Sequence, residues 1–225
     1  MSWWEFWKAR GEKADFVASF LEQAKTPIPG IRAIDQLNFT VLDTETTGLN
    51  PSEDFILSFG AIKISRMTIQ VSTAVEWYPV SPKNGKDTAA IHGLMESKTP
   101  HEFSEFVPNL LSYLGDSILV GHHLGFDLEM LLKTCKKFGL EEFPNSCVDT
   151  MNLAIRLEQG PNADRKQFKP EEYSLDSLCD RYGIAKDDRH TAAGDAFLTA
   201  QLLLKLLVVA KKKGIKDFAS LNKSW

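Results

Sequence analysis

Three times along this chain an apolar segment runs directly into acid. Phe39 to Leu42 ends at Asp43, inside Val-Leu-Asp-Thr-Glu-Thr-Thr-Gly. Ile118 to Val120 leads into Gly-His-His-Leu-Gly-Phe-Asp, which ends at Asp127. His190-Thr-Ala-Ala-Gly-Asp195 opens the last apolar run. Carboxylates gathered at the ends of buried elements repel one another unless a cation lies between them. The pattern therefore demands a fold whose elements bring their acidic ends to one edge of a sheet, and it demands a counter-charge there.

The order of elements is consistent with that demand. Phe39 to Asp43, Phe55 to Ser65 and Thr68 to Tyr78 are rich in β-branched and aromatic residues, and only Arg66 and Met67 separate the last two. They read as a strand followed by an antiparallel hairpin. Pro79, Pro82, Asn84 and Gly85 mark a loop. Beyond it, helical spacing recurs at residues 102–114, 124–138, 149–157, 174–182 and 191–213, with a buried strand at Ile118 to Val120 and a polar loop from Glu158 to Glu172. Strands first, then strand and helix alternating, predict an α/β domain around a mixed sheet. Residues 2–25 also have roughly helical spacing, weakened by Gly11, and Thr-Pro-Ile-Pro-Gly at 26–30 reads as a linker. We expect an extension at 1–30 and a main domain at 31–225.

With 225 residues, 43% of them hydrophobic, the chain can bury one sizeable core. A net charge of -4 and a pI near 5.8 exclude a broadly basic nucleic-acid footprint, so any such partner is held locally in a groove or at an end. Cys135, Cys147 and Cys179 form no Cys-x-x-Cys pair and read as reduced thiols in the core. Glu5, Lys8 and Arg10 break any signal-peptide pattern, and Leu202 to Ala210 is too short to span a membrane and contains Lys205. The expectation is a soluble, cytoplasmic protein. Three tryptophans and a phenylalanine between Trp3 and Trp7 form a patch that either packs on the main domain or docks a partner.

Side chains two apart on a strand share a face, so Asp43 and Glu45 project together. Thr46, Thr47 and Gly48 follow as a turn that a ligand could approach closely. Asp127 and Asp195 each sit near the start of a helix, where an acid is ordinary by itself. Hard cations such as Mg²⁺ take oxygen ligands from a few carboxylates, water and substrate phosphate. Two ions about 3.5–4 Å apart clamp the attacking and leaving oxygens of a phosphoryl displacement. A neutral histidine beside them, here His190, could take the proton from an attacking water.

Asp43-Thr-Glu-Thr-Thr-Gly, His123-x-x-Phe-Asp127 and His190-x-x-x-x-Asp195 resemble, in order and spacing, the three motifs of the DEDD exonucleases in their histidine subgroup. The likeness is to proofreading-type members such as the epsilon subunit of bacterial DNA polymerase III, and it covers roughly residues 38–208. Ile91-His-Gly-Leu94 and the stretch from Tyr173 to Gly183 also look familiar. The resemblance implies an RNase H-like fold, three antiparallel strands and then parallel strands interleaved with helices. It implies that Asp43, Glu45, Asp127 and Asp195 bind two Mg²⁺ or Mn²⁺ ions, and that His190 activates the water that releases nucleoside 5′-monophosphates in the 3′→5′ direction. Thr46, His92, His123 and Phe126 are then the substrate-binding candidates, gripping a single-stranded DNA 3′ end. One departure is His122-His123, where the family often has His-Asn. The alternatives are the same chemistry on RNA, as in ribonuclease T or oligoribonuclease, and an idle adaptor module. A polymerase or another protein could dock on the aromatic N-terminus.

Overall fold

The computed structural model describes residues 13–80, 100–160 and 169–223. Trp3 to Trp7 and His92, on which two expectations rest, lie outside them. A five-stranded sheet of order β3-β2-β1-β4-β5 forms the middle layer. Strands β1 (Asn38–Thr46), β2 (Ile56–Ser65) and β3 (Thr68–Trp77) are an antiparallel set. Strands β4 (Ile118–Gly121) and β5 (Cys147–Asp149) add to the other side of β1 in parallel. This is the RNase H-like sheet the motifs imply.

The alternation of β1 sorts the core into two layers. Phe39 and Val41 face one side and join the cluster built on the long helix α6 (Ala192–Lys212), together with α4 (Thr150–Gln159) and α5 (Leu175–Tyr182). Leu42 faces the other, against α1 (Asp15–Gln23), α2 (Phe103–Leu114) and α3 (Leu124–Cys135). A short helix α7 (Phe218–Leu221) closes the described chain on the α6 side. The 21 residues of α6 are long and apolar enough to cross a bilayer, but Leu202, Leu203, Leu206 and Leu207 are spent on the core, against the sheet. From the expected N-terminal extension, Val17 and Phe20 of α1 are buried in the second layer.

One expectation needs correction. Cys135 and Cys179 are buried, but Cys147 is exposed, because it begins the edge strand β5. That strand was not anticipated: three residues, one of them exposed, carry too little periodicity to register.

One glycine decides how closely α6 can approach. Gly60 of β2 lies opposite Asp43 in the ladder, and a Cβ there would overlap the backbone of Ala192 and Ala193. Gly60→Ala is expected to push the start of α6 off the sheet, costing about 1–3 kcal/mol. Asp195, in the first turn of α6, moves with it, so a calorimetric Tm should fall together with any activity the expected exonuclease shows. A variant as stable and active as the parent would mean that this approach does not matter.

Candidate active site

Asp43 and Glu45 continue the Phe39–Val41 face past the end of the apolar run, toward the layer that holds α6. Asp195, in the first turn of α6, meets them there. Each of the three offers an oxygen within 4.8 Å of the others. The helix start that delivers Asp195 is well defined. Thr191 is its N-cap, its Oγ1 accepting from the Gly194 N–H at 3.0 Å, and Gly194 has no room for a side chain beside the Asp188 carbonyl.

Asp127 comes from the opposite layer. β4 pairs with β1 only as far as Val41, so the β1 backbone beyond that point is open on this side. Asp127, in the first turn of α3 and 4% exposed, fills the opening. Its Oδ1 accepts from the Thr44 N–H at 2.9 Å and from the Thr44 hydroxyl at 2.6 Å. The tight cluster among the described residues therefore holds three of the four expected acids. Asp127 stands outside it, yet near enough for its charge to act on Asp43.

The electrostatics follow from this crowding. Burial raises the Asp43 carboxyl well above the usual range, and the charges of Asp127, Asp195 and Glu45 raise it further, with Arg189 opposing. Burial also pushes Asp127 up to about 7, against the bonds from Thr44. His122 moves the other way. Burial, then the neighbouring His123, lowers it to about 4, and its Nδ1 lies 2.9 Å from the Thr150 hydroxyl. His122 is thus a neutral polar link between β4 and α4.

A pH dependence results. Groups whose folded value is raised bind protons on folding, so stability falls as pH climbs from about 3.8 through the folded value. His122 has the opposite sign between about 4 and 6.5. Above pH 6.5 only the acids remain. In chelator the Tm is expected to drop by a few degrees from pH 6.5 to 8, and Mg²⁺ should remove most of that slope. A flat metal-free profile would contradict the crowding.

The remaining described candidates lie on the chain segments next to the acids. Thr46 ends β1, and its Oγ1 donates to the Gly48 carbonyl at 2.8 Å, shaping the turn. His123 is exposed and left-handed at φ 63°, where the chain enters α3. Phe126 is half-buried against the second core layer. His190 is exposed, at φ 64°, in the turn before α6.

Sequence reasoning missed Arg189, Asp176, Thr44 and Asp149. Arg189 pairs with Asp195 Oδ2 and forks onto Asp176. Asp149 caps α4 and also accepts from the Leu124 N–H at 2.9 Å, fixing the start of α3. Thr44 and Asp176 lie inside stretches the motifs had singled out, but nothing in the sequence gave either a role.

An all-oxygen donor set with one buried oxygen, Asp195 Oδ1, lacking any hydrogen-bond partner suits a hard cation. Known proteins share this chain's motifs and fold. The RNase T exonuclease model matches residues 40–203. The PolC-type DNA polymerase III of Thermotoga maritima is 33% identical over 188 residues, 82% of this chain but 13% of that much longer protein. The DNA polymerase III epsilon subunit of Aquifex aeolicus is 28% identical over 82% of this chain and 88% of its own length. An epsilon-like protein of Rhodobacter capsulatus is 33% identical over 88% of this chain and 27% of its own length. In fold, the chain is similar to E. coli exonuclease I in complex with a dT13 oligonucleotide, with a TM-score of 0.60 at 16% identity, over 80% of this chain and 43% of that one. The chain carries an exonuclease domain and belongs to the RNase T exonuclease family.

Proposed function

We propose that this protein removes nucleotides from the 3′ end of single-stranded DNA, releasing nucleoside 5′-monophosphates. The observation that carries the reading is the meeting of Asp43, Glu45 and Asp195, with Asp195 Oδ1 left without a partner, in a chain of this family. Asp43, Glu45, Asp127 and Asp195 would hold two Mg²⁺ or Mn²⁺ ions. When bound, these supply positive charge to the phosphoryl oxygens at the scissile bond.

The protein groups do the rest. His190, exposed in the turn before α6, takes the proton of the attacking water. Thr46 presents its turn to the terminal nucleotide. His92, His123 and Phe126 contact the terminal nucleotides, an aromatic group being suited to stacking on a base. An acidic chain gives no general grip on nucleic acid, so affinity is expected to come from this short contact and to be modest.

DNA is the preferred substrate in this reading, supported by the naming of the polymerase III relatives. Incubation of 3′-labelled single-stranded DNA and matched RNA with Mg²⁺ or Mn²⁺, beside an Asp43→Ala control, tests it. Faster release of mononucleotides from DNA is the expected result. RNA preferred by tenfold would make it an exoribonuclease, and no metal-dependent release would leave an adaptor.

Residues 31–225 carry all the proposed catalytic groups, with α1 packed into their core, and act in the cytoplasm in this reading. Residues 1–30 form an extension whose Trp3 to Trp7 patch docks a polymerase or another protein. Because α1 is built into the core, the informative truncation removes residues 1–12 only. Chemistry should survive and partner binding or oligomeric state should change.

A further inference from the structure

The turn that carries His190 is held by a residue that the activity proposed above has not used. Arg189 is largely buried, with its side chain 18% exposed. Its Nε and Nη2 donate to the two oxygens of Asp176 at 2.8 and 3.0 Å, and Nη1 pairs with Asp195 Oδ2. One guanidinium thus joins α5, the turn and the first turn of α6. The residues on either side of it, Asp188 at φ 59° and His190 at φ 64°, are both left-handed, which non-glycine residues keep only when their surroundings insist. The Thr191 hydroxyl, donating to the Asp188 carbonyl at 3.0 Å, is one such restraint. The forked ion pair is the other, and its planar geometry makes it a directional one.

We propose that Arg189 is a positioning residue and the resident counter-ion of the acidic cluster. It occupies Asp195 Oδ2 so that Oδ1 alone is presented to the site, and it clamps the turn that holds His190 directly ahead of α6. The inference rests on the proposed exonuclease reading, but it makes a demand of its own. A fixed positive charge beside the carboxylates repels an incoming cation. Removing it should strengthen metal binding while weakening catalysis, which is the opposite of losing a ligand. Asp176 stands apart from the cluster and serves only the clamp. Its loss should slow turnover and leave metal affinity alone.

The test uses the full chain. Mn²⁺ binding is measured by calorimetry without substrate, and kcat and KM are measured on a DNA oligonucleotide. For Arg189→Gln the expected results are a kcat lower by about 10²-fold, as for a small displacement of a reacting group, an oligonucleotide KM within about threefold of the parent, and Mn²⁺ bound at least as tightly. Arg189→Lys, which keeps the charge and loses the fork, should recover part of kcat and return Mn²⁺ affinity to the parent value. Asp176→Asn should lower kcat with unchanged Mn²⁺ affinity, and combining it with Arg189→Gln should add little further loss. Weaker Mn²⁺ binding by Arg189→Gln, or full activity in both Arg189→Gln and Asp176→Asn, overturns the inference. If Arg189→Gln fails to fold, Arg189→Lys and Asp176→Asn decide it by the same criteria. A parent protein with neither Mn²⁺ binding nor nuclease activity would instead overturn the underlying exonuclease reading.

Discussion

Asp195→Asn is expected to reduce nucleotide release by about 10³-fold or more, because in the proposed reading a charged ligand worth several kcal/mol to the transition state becomes a neutral amide. The same change at Asp43 should be as damaging. The two together should be scarcely worse than either, since residues that act as a unit do not add. Stability provides a second readout. Burial and the neighbouring acids already disfavour the ionised form of Asp43. Asp43→Asn should therefore raise the metal-free Tm at pH 8 while it abolishes activity. Loss of activity accompanied by a lower Tm would point to damaged folding and would weaken the assignment.

His190→Ala is expected to slow turnover by about 10²–10⁴-fold, the usual contribution of a general base. Because His190 is exposed and outside the acid cluster, the variant should fold normally and bind Mn²⁺ with parental affinity in calorimetry. An equal loss of metal affinity would make His190 a ligand instead of a base. Turnover within a few fold of the parent would remove it from the chemistry.

Much of this was legible in the sequence because periodicity and position carry it. Strand alternation placed Asp43 and Glu45 on one face, and the N-terminal turn of α6 placed Asp195 near a helix start, as found. The mixed sheet followed from strands coming first and then alternating with helices, and its RNase H-like arrangement from the resemblance of the motifs. What alternation along one strand could not convey was depth. Asp127 approaches from the layer behind the sheet and spends Oδ1 on Thr44, a contact that depends on where β4 stops pairing with β1. β5 was invisible because three residues carry no period. Arg189 and Asp176 are 13 residues apart, on elements whose proximity is decided only by tertiary packing. An arginine beside a histidine in a polar turn has no signature of its own.

The placement of the acids in two layers has a consequence for the timing of activity. Asp43 and Glu45 emerge early in synthesis, Asp127 midway and Asp195 late, and the last two are brought in by helices that dock on opposite sides of β1. If the four acids work together as proposed, a partly unfolded chain with either side undocked would lack the complete set and would not cut. On that reading, competence to cut would arrive together with the finished fold.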